Sequence, residues 1–321
     1  MRRHLTRYLP FAGLAVVVPA VWVLMRYARD IDASGVLAHL HQYSLPQVLA
    51  AIAFSLFALA LYGLYEARAL REAGRPLGVL RPMVVAAISS PIGHSVGLAT
   101  LSGGALRYRF YAPLGLSHTA VATVIFYAAL PYVLGLGLLL DLALIFGAQR
   151  AAPLLNLATW AVVVLGLVGL GKDLGYAFFT AIRRKPIAIG RFSFRLPSFK
   201  FTLLQYGIGS VEIICLASVL YLFMPAELNL AFPAFLAVYV ISLIAGSVSN
   251  VPAGLGVFEA AMLLMLRDFP SEPVLAAILA YRVMYEVLQL LVALGLLALY
   301  EFGSRHGFAG RLWRKPRSTP S

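Results

Sequence analysis

Apolar segments of about 20 residues recur along this chain of 321 residues, separated by short stretches rich in Pro, Gly or Arg. A helix needs roughly 20 apolar residues to cross the hydrocarbon core of a bilayer, so each segment is long enough to span a membrane. Charged residues make up only 12% of the chain, against about 25% in soluble domains. The predicted spans are 10–28, 46–67, 116–146, 152–182, 200–224, 231–249 and 272–301.

This pattern predicts an all-α, polytopic integral membrane helix bundle of about eight spans. Two further apolar segments, 80–104 and 250–267, are crowded with Gly, Ser and Pro. We expect one or both to form broken or re-entrant helices that line a central cavity. The transmembrane domain is predicted over residues 1–302, and residues 303–321 form a basic, disordered cytoplasmic tail.

The basic residues predict the orientation of the bundle. The net charge is +13, and 21 of the 26 Lys and Arg residues lie in the segments 1–9, 68–81, 107–109, 172–200 and 305–317. All of these segments lie on one side if 80–104 enters the bilayer and returns, and the positive-inside rule identifies that side as the cytoplasm. Both termini are then cytoplasmic, and 250–267 must cross or pair with another element.

Cofactor, metal and nucleic-acid sites are not expected. The single cysteine, Cys215, excludes an intrachain disulfide and a zinc cluster of cysteines. The run Gly166–Lys172 matches the spacing of a phosphate-binding loop, but Asp173 follows in place of Ser or Thr and the run lies in an apolar helix. The excess positive charge is better explained by orientation and anionic lipid than by nucleic acid.

The first broken segment carries the densest group of polar residues, at 89–111. Guanidinium groups and backbone amides at a helix N-terminus both favour oxyanions. The segment therefore predicts a site for a lipid phosphate, formed by Ser102, Gly103, Gly104, Arg107 and Arg109. In the alternative interpretation, Gly93 and Gly97 form a helix-packing contact and the two arginines are interfacial anchors.

The second broken segment and the last span contribute a second set of candidates. Asn250 and Pro252 predict the cap and first turn of a helix with its positive end directed inward. Candidate head-group or cavity residues are Asn250, Gly254, Gly256, Glu259, Tyr281, Arg282, Tyr285 and Glu286. In the alternative interpretation, Arg282 and Glu286 lie one turn apart and neutralise each other, while one neighbour satisfies Glu259. Glu212 and Asp141 are further acids inside spans.

The two broken segments share a short pattern. Residues 89–93 and 249–254 both place polar residues before Pro-x-Gly. Interrupted hydrophobic segments in the two halves of a chain are a pointer to the central site of a transporter. So short a match also arises by chance, so the repeat is a hypothesis.

Three ordered motifs resemble those of a known family. Residues 101–111, followed by Gly115-Leu116-Ser117, resemble the signature of the lysylphosphatidylglycerol synthase transmembrane region, the flippase half of the multiple peptide resistance factor. Residues 252–259 and 281–285 are similar to its second and third motifs. The resemblance covers about 10–302, and Glu286 and Gln289 depart from the pattern.

The resemblance implies an inner-membrane protein that moves aminoacylated phosphatidylglycerol to the outer leaflet, where the added amine lowers the binding of cationic peptides. Arg107 and Arg109 would hold the phosphate, while Glu259 and Glu286 would accept the amine. The aminoacyl transferase domain of bifunctional relatives is not expected in this chain, so a separate synthase is one expected partner. A second copy of the chain, in a homodimer, is another. The alternative is a non-transporting scaffold for a lipid or cell-envelope enzyme.

Overall fold

The structure, a computed structural model, describes most of the predicted transmembrane domain. The described residues are 38–96, 99–183, 187–189, 192–194, 196–248 and 252–305. The predicted first span at 10–28, the candidate Asn250 and the predicted tail beyond Arg305 lie outside these ranges.

Helices make up nearly all of the described residues. In chain order they are α1 (Leu45–Glu72), α2 (Leu80–Val96), α3 (Ala99–Tyr111), α4 (His118–Phe146), α5 (Ala148–Leu155), α6 (Thr159–Ile182), α7 (Phe199–Phe223), α8 (Phe232–Val248), α9 (Val257–Met265), α10 (Ser271–Arg282) and α11 (Leu288–Arg305). A π-helical segment, Val283–Val287, makes α10 and α11 one continuous helix. The strands β1 (Ile187–Ile189) and β2 (Phe192–Phe194) form a small antiparallel hairpin between α6 and α7.

Five of these helical segments are long and apolar enough to cross a membrane. They are Leu45–Glu72, His118–Phe146, Thr159–Ile182, Phe199–Phe223 and Ser271–Gly303. Each coincides with a segment that the sequence predicts to be a span. The prediction of an all-α, polytopic membrane bundle is therefore confirmed, while the central cavity remains a prediction.

One predicted span has a different start. The sequence predicts a single helix over 152–182, but α5 ends first and α6 begins at Thr159. Asn156 adopts a left-handed conformation with φ of 53°, and the N–H of Leu157 donates to the carbonyl of Ala152 at 3.0 Å. This is a common way to end a helix, because the reversed residue lets the chain satisfy the last carbonyls.

The α2–α3 pair forms a helical hairpin packed against α1, α4 and α11. Gly103 on α3 lies so close to α2 that a Cβ there would be 2.9 Å from the carbonyl oxygen of Ser89. With 17 and 13 residues, the two helices are roughly 25 and 20 Å long, shorter than a hydrocarbon core of about 30 Å. This geometry agrees with the expectation that 80–104 enters the bilayer and returns.

The α8–α9 pair forms a second helical hairpin in the other half of the chain. Their lengths are 17 and 9 residues, and a Cβ on Gly254 would lie 3.0 Å from the Cα of Gly246. The described part of the second broken segment, residues 252–267, therefore pairs with α8, which is one of the two outcomes that the charge distribution allows.

The helix start predicted at Pro252 is wrong. Pro252–Gly254 form a 3₁₀ turn, and α9 begins only at Val257. Ala253, Gly254 and Gly256 have positive φ values of 54°, 63° and 83°. A right-handed helix cannot contain these conformations, so the chain first reverses and then enters α9.

A proline in α4 is compensated by a side chain from α7. Pro131 has no N–H, so it cannot donate to the carbonyl of Tyr127 one turn earlier in α4. The side-chain amide of Gln205 donates to that carbonyl at 3.1 Å. The freed backbone group is thus satisfied by a neighbouring helix, as the interior of a membrane requires.

The backbones of α4 and α7 also touch beside this hydrogen bond. A Cβ on Gly209 would lie 1.8 Å from the carbonyl oxygen of Pro131, and one on Gly135 would lie 2.3 Å from the carbonyl carbon of Gly209. Small residues permit such approaches between membrane helices. The contact sets the distance between two spans at the centre of the bundle.

We predict that Gly209→Ala destabilises the protein strongly, because the new methyl group overlaps the backbone of α4. Overpacking usually costs about 1–3 kcal/mol, and backbone atoms on both sides leave little room to relax. Thermal unfolding of the detergent-solubilised protein measures the effect. Gly207→Ala is the matched control, because a Cβ there would meet no atom within 4 Å, and its unfolding temperature should not fall. Equal behaviour of the two variants would contradict the close crossing.

Candidate functional site

The first ionic group joins α1 to the α2–α3 hairpin. Nε of Arg107 donates to Oε2 of Glu66 at 2.9 Å, and Nη2 donates to the hydroxyl of Ser90 at 3.0 Å. The other carboxylate oxygen of Glu66 accepts from the hydroxyl of Tyr111 at 2.8 Å. The side chain of Glu66 is 0% exposed and that of Arg107 is 12% exposed. This buried cluster is called the Glu66–Arg107 pair below.

The remaining phosphate candidates have different environments. Arg109 is exposed and pairs with Glu301 on α11. Gly103 and Gly104 are the fifth and sixth residues of α3, where backbone amides are normally bonded within the helix. Ser102 is the fourth residue of α3, within the turn whose amides have no partner in the helix. Because Gly103 has no side chain, both α2 and Arg107 approach its backbone closely. A Cβ on Gly103 would lie 3.1 Å from Nη1 of Arg107.

The second ionic group joins α9 to the continuous helix of α10 and α11. Nε and Nη2 of Arg282 donate to Oε1 of Glu259 at 2.8 and 2.6 Å. Nη1 donates to the carbonyl of Ala253 at 2.9 Å and also to Glu286. The side chains of Arg282 and Glu259 are 13% and 12% exposed. Glu259, Arg282 and Glu286 are called the Arg282 cluster below.

The reversed backbone before α9 positions this cluster. Ala253 adopts a left-handed conformation, and its carbonyl accepts a hydrogen bond from Arg282. The N–H of Gly256 donates to the second oxygen of Glu259 at 2.7 Å, so the carboxylate caps the helix that carries it. Two backbone groups freed by the helix break are thus bonded to the side chains of the cluster.

Aromatic side chains pack around the Arg282 cluster. The guanidinium carbon lies 5.3 Å from the ring centroid of Phe258, within the range of a cation–π contact. The hydroxyls of Tyr281 and Tyr239 are 2.7 Å apart, and the ring of Tyr285 stacks on Tyr281 with centroids 5.5 Å apart. The predicted candidates Tyr281 and Tyr285 therefore belong to the same site as Arg282.

The two ionic groups face a common region of the bundle. Helix α2 packs against the turn Pro252–Gly254, so the two helical hairpins touch each other. Tyr62 of α1 stands between the groups, with its ring 6.5 Å from that of His94 and its hydroxyl beside that of Tyr285. His94 in turn lies near Arg107. The candidate site consists of the Glu66–Arg107 pair, the Arg282 cluster and the aromatic side chains between them.

The predicted polar face of the last span is oriented toward the protein. Gln289 is buried, and its side-chain amide donates to the backbone carbonyl of Ser55 on α1 at 3.0 Å. Arg282 and Glu286 lie one turn apart and pair, as their spacing predicts. This pairing agrees with the self-neutralising interpretation and leaves a further role for the cluster open to proposal.

Sequence reasoning missed two features of the site. Glu66 lies near the end of the predicted span 46–67, where a carboxylate usually reaches water, so its position gives no sign of the Arg107 partner 41 residues later. The π-helical segment Val283–Val287 carries Tyr285 and Glu286, and no residue pattern predicts its extra residue per turn. Such segments are frequent at functional sites of helical proteins.

Comparison with known proteins assigns the chain's relationships. The sequence profile of the family described as "Lysylphosphatidylglycerol synthase TM region" matches residues 11–293. The uncharacterised protein slr0712 of Synechocystis is 34% identical over 222 residues, 69% of each chain. The inner membrane protein YbhN of Escherichia coli is 29% identical over 285 residues, 88% of this chain and 87% of YbhN.

A longer relative contains the matching region as one part. The phosphatidylglycerol lysyltransferase of Staphylococcus haemolyticus is 25% identical over 251 residues, which are 77% of this chain but 28% of the lysyltransferase. The match to the family profile confirms the resemblance that the three sequence motifs suggest.

We predict that Arg107→Gln lowers the free energy of unfolding by about 3–5 kcal/mol, because it leaves the fully buried carboxylate of Glu66 without a cation. Thermal unfolding in detergent measures the loss. The double variant Glu66→Gln, Arg107→Gln removes both charges and should regain most of the stability. A single variant as stable as the wild type would show that the pair is not buried as described.

Proposed function

Because this chain belongs to the lysylphosphatidylglycerol synthase transmembrane region family, we propose that it moves phospholipid between the leaflets of a bacterial inner membrane. The proposed substrate is aminoacylated phosphatidylglycerol, a lipid with one phosphate and at least one amine. The observation that carries this proposal is the pair of ionic groups, each of which bonds a broken hairpin to a long helix. The similarity to an inner membrane protein, YbhN, and to a phosphatidylglycerol lysyltransferase supports the membrane and the lipid class.

The Glu66–Arg107 pair has the chemistry to receive the phosphate. A guanidinium has five N–H donors in a fixed plane, and Glu66 and Ser90 are each bonded through one nitrogen of Arg107. A phosphate oxygen that binds at Nη1 would share the guanidinium with Glu66 without replacing it. Charge-assisted hydrogen bonds of this kind are about twice as strong as neutral ones.

The Arg282 cluster has the charge to receive an amine. It combines one guanidinium with two carboxylates, so its formal charge is negative when both are ionised. Glu259 is held by Arg282 and by the N–H of Gly256, whereas the side chain of Glu286 is the more exposed of the two carboxylates, at 26%. Glu286 is therefore the proposed acceptor for the cationic head group.

Buried ionic groups favour a transporter over a scaffold. Ionisable residues inside a membrane are costly and usually mark substrate or ion pathways. A scaffold would need only apolar helix faces for its partners. The matched region is only 28% of the lysyltransferase, so we propose for it the movement of the lipid and not its synthesis.

We expect the purified wild-type protein to move fluorescent phosphatidylglycerol and fluorescent lysylphosphatidylglycerol across proteoliposome membranes, measured by quenching of the outer leaflet. The double variant Glu66→Gln, Arg107→Gln should slow both lipids by tenfold or more, because a charged hydrogen bond is worth about 1.5–3 kcal/mol. The exposed Arg267→Gln is the matched control and should keep the wild-type rate. Leaflet exchange no faster than in protein-free vesicles would contradict the proposal and favour the scaffold.

Glu286→Gln tests which group binds the amine. The substitution keeps the size of the side chain and removes its charge, so lysylphosphatidylglycerol should lose its advantage over phosphatidylglycerol by about tenfold in competition. Transport of unmodified phosphatidylglycerol should change little. An equal loss for both lipids would contradict the assignment of Glu286 to the head group.

A further inference from the structure

A fourth acid, Glu212, lies at the centre of the bundle, and none of the described lysines or arginines pairs with it. It occupies the middle of α7, is 0% exposed, and faces α1, α4 and the continuous helix of α10 and α11. Its Oε2 contacts the hydroxyl of Tyr65, and the hydroxyl of Tyr62 also lies beside the carboxyl group, while its Oε1 is buried and meets no hydrogen-bond partner within normal distance among the described residues. Glu66 and Glu259 each pair with an arginine, and Glu212 does not belong to either ionic group.

The groups around Glu212 are neutral. Tyr62 and Tyr65 face it from α1, Tyr132 from α4, Tyr285 from the π-helical segment and Cys215 from its own helix. Charged groups on the packed elements have other partners. Arg282 forms an ion pair with Glu286, and Lys172 on α6 forms an ion pair with Asp173.

The remaining facing elements supply no cation either. Asp173 of α6 meets α7 at Tyr206, through its backbone carbonyl, and that contact lies nearly two turns before Glu212. From α8, Tyr239 bonds Tyr281. Within the part of the chain that the structure describes, no lysine or arginine forms an ion pair with Glu212.

The hydrogen bonds of Tyr65 indicate the protonation state of Glu212. The tyrosine hydroxyl lies 3.2 Å from the carbonyl oxygen of Ile208 and also contacts Oε2 of Glu212. A tyrosine hydroxyl has one hydrogen to donate, and a carbonyl or an ionised carboxylate only accepts. An ionised Glu212 would therefore leave one of these two contacts without a hydrogen. A protonated Glu212 satisfies both, because it donates to the tyrosine oxygen while Tyr65 donates to Ile208.

We propose that Glu212 is a proton-binding site and that its proton is exchanged for the lipid during transport. A lone ionised carboxylate away from water costs far more free energy than a neutral carboxylic acid. Proton uptake on one side of the membrane and release on the other let the side chain stay neutral while it is buried. The ligand is a proton, and the binding step is O–H bond formation at a carboxylate oxygen.

This inference rests on the proposed function, because lipid charge creates the need for coupling. Lysylphosphatidylglycerol has one phosphate and two amines, so its net charge is positive. Its outward movement against an inside-negative potential costs about 2.3 kcal/mol per charge and 100 mV. One proton that moves inward for each lipid that moves outward makes the exchange electrically neutral and lets the proton gradient drive it.

The structure provides a contact between the proton site and the lipid site. Tyr62 lies beside Glu212 and its hydroxyl lies beside that of Tyr285. Tyr285 stacks on Tyr281 and is adjacent in sequence to Glu286. A change in the protonation of Glu212 would therefore be transmitted to the Arg282 cluster through Tyr62 and Tyr285.

Infrared spectroscopy tests the proton site without lipid transport. A protonated carboxylic acid has a C=O stretching band that an ionised carboxylate lacks. We expect this band in the wild-type protein at neutral pH, its loss in Glu212→Gln, and its retention in the control Glu227→Gln, which changes an exposed glutamate. Glu212→Gln is nearly isosteric, and its thermal unfolding verifies that it is folded. Identical spectra for wild type and Glu212→Gln would overturn the proposal.

Proteoliposomes with a pH gradient and a clamped membrane potential test the coupling. The wild type should enrich lysylphosphatidylglycerol in the leaflet that faces the acidic side, by up to about tenfold per pH unit for one-to-one exchange. Glu212→Gln should still move lipid but leave the two leaflets equal. Enrichment by Glu212→Gln, or enrichment by the wild type under a sodium gradient alone, would overturn the proton assignment. A wild type that moves no lipid would refute the proposed function, and the infrared band would still decide the proton site.

Discussion

The neutralisation of charge inside the membrane is the constraint on which the rest of the structure depends. Arg107 and Arg282, whose side chains are 12% and 13% exposed, are bonded to glutamates from other helices, and each bond fixes a short helix against a long one. Arg107 holds α3 against α1, and Arg282 holds the start of α9 against α10. Because a charge left without its partner in this environment is costly, the same bonds that form the candidate site also hold the broken hairpins in place.

Helix breaks and charge pairs solve one problem together. A helix that ends inside a bilayer has backbone groups without partners, which lipid cannot satisfy. At the second break, Arg282 donates a hydrogen bond to the carbonyl of Ala253, and Glu259 accepts one from the N–H of Gly256. Gln205 of α7 donates to the carbonyl of Tyr127 in α4, which Pro131 leaves without a helical partner. Polar side chains from neighbouring helices thus replace the missing helical bonds.

Sequence reasoning predicted features that depend on length, composition and local spacing. The long spans follow from apolar length, the return of α3 against α2 follows from the positions of the basic residues, and the pairing of Arg282 with Glu286 follows from their spacing of one turn. Features that depend on the relative positions of distant helices were not predictable. The partner of Arg107 lies 41 residues away, and the left-handed Ala253 has no marker because alanine rarely adopts that conformation.

The most direct test of the candidate site is a cryo-electron microscopy structure of the protein in nanodiscs that contain lysylphosphatidylglycerol. We expect the lipid head group between the two broken hairpins, with its phosphate within hydrogen-bond distance of Arg107 and its amine within hydrogen-bond distance of Glu286. Lipid density confined to the outer surface of the bundle, with the space between Arg107 and Glu286 closed by packed side chains, would contradict the central claim.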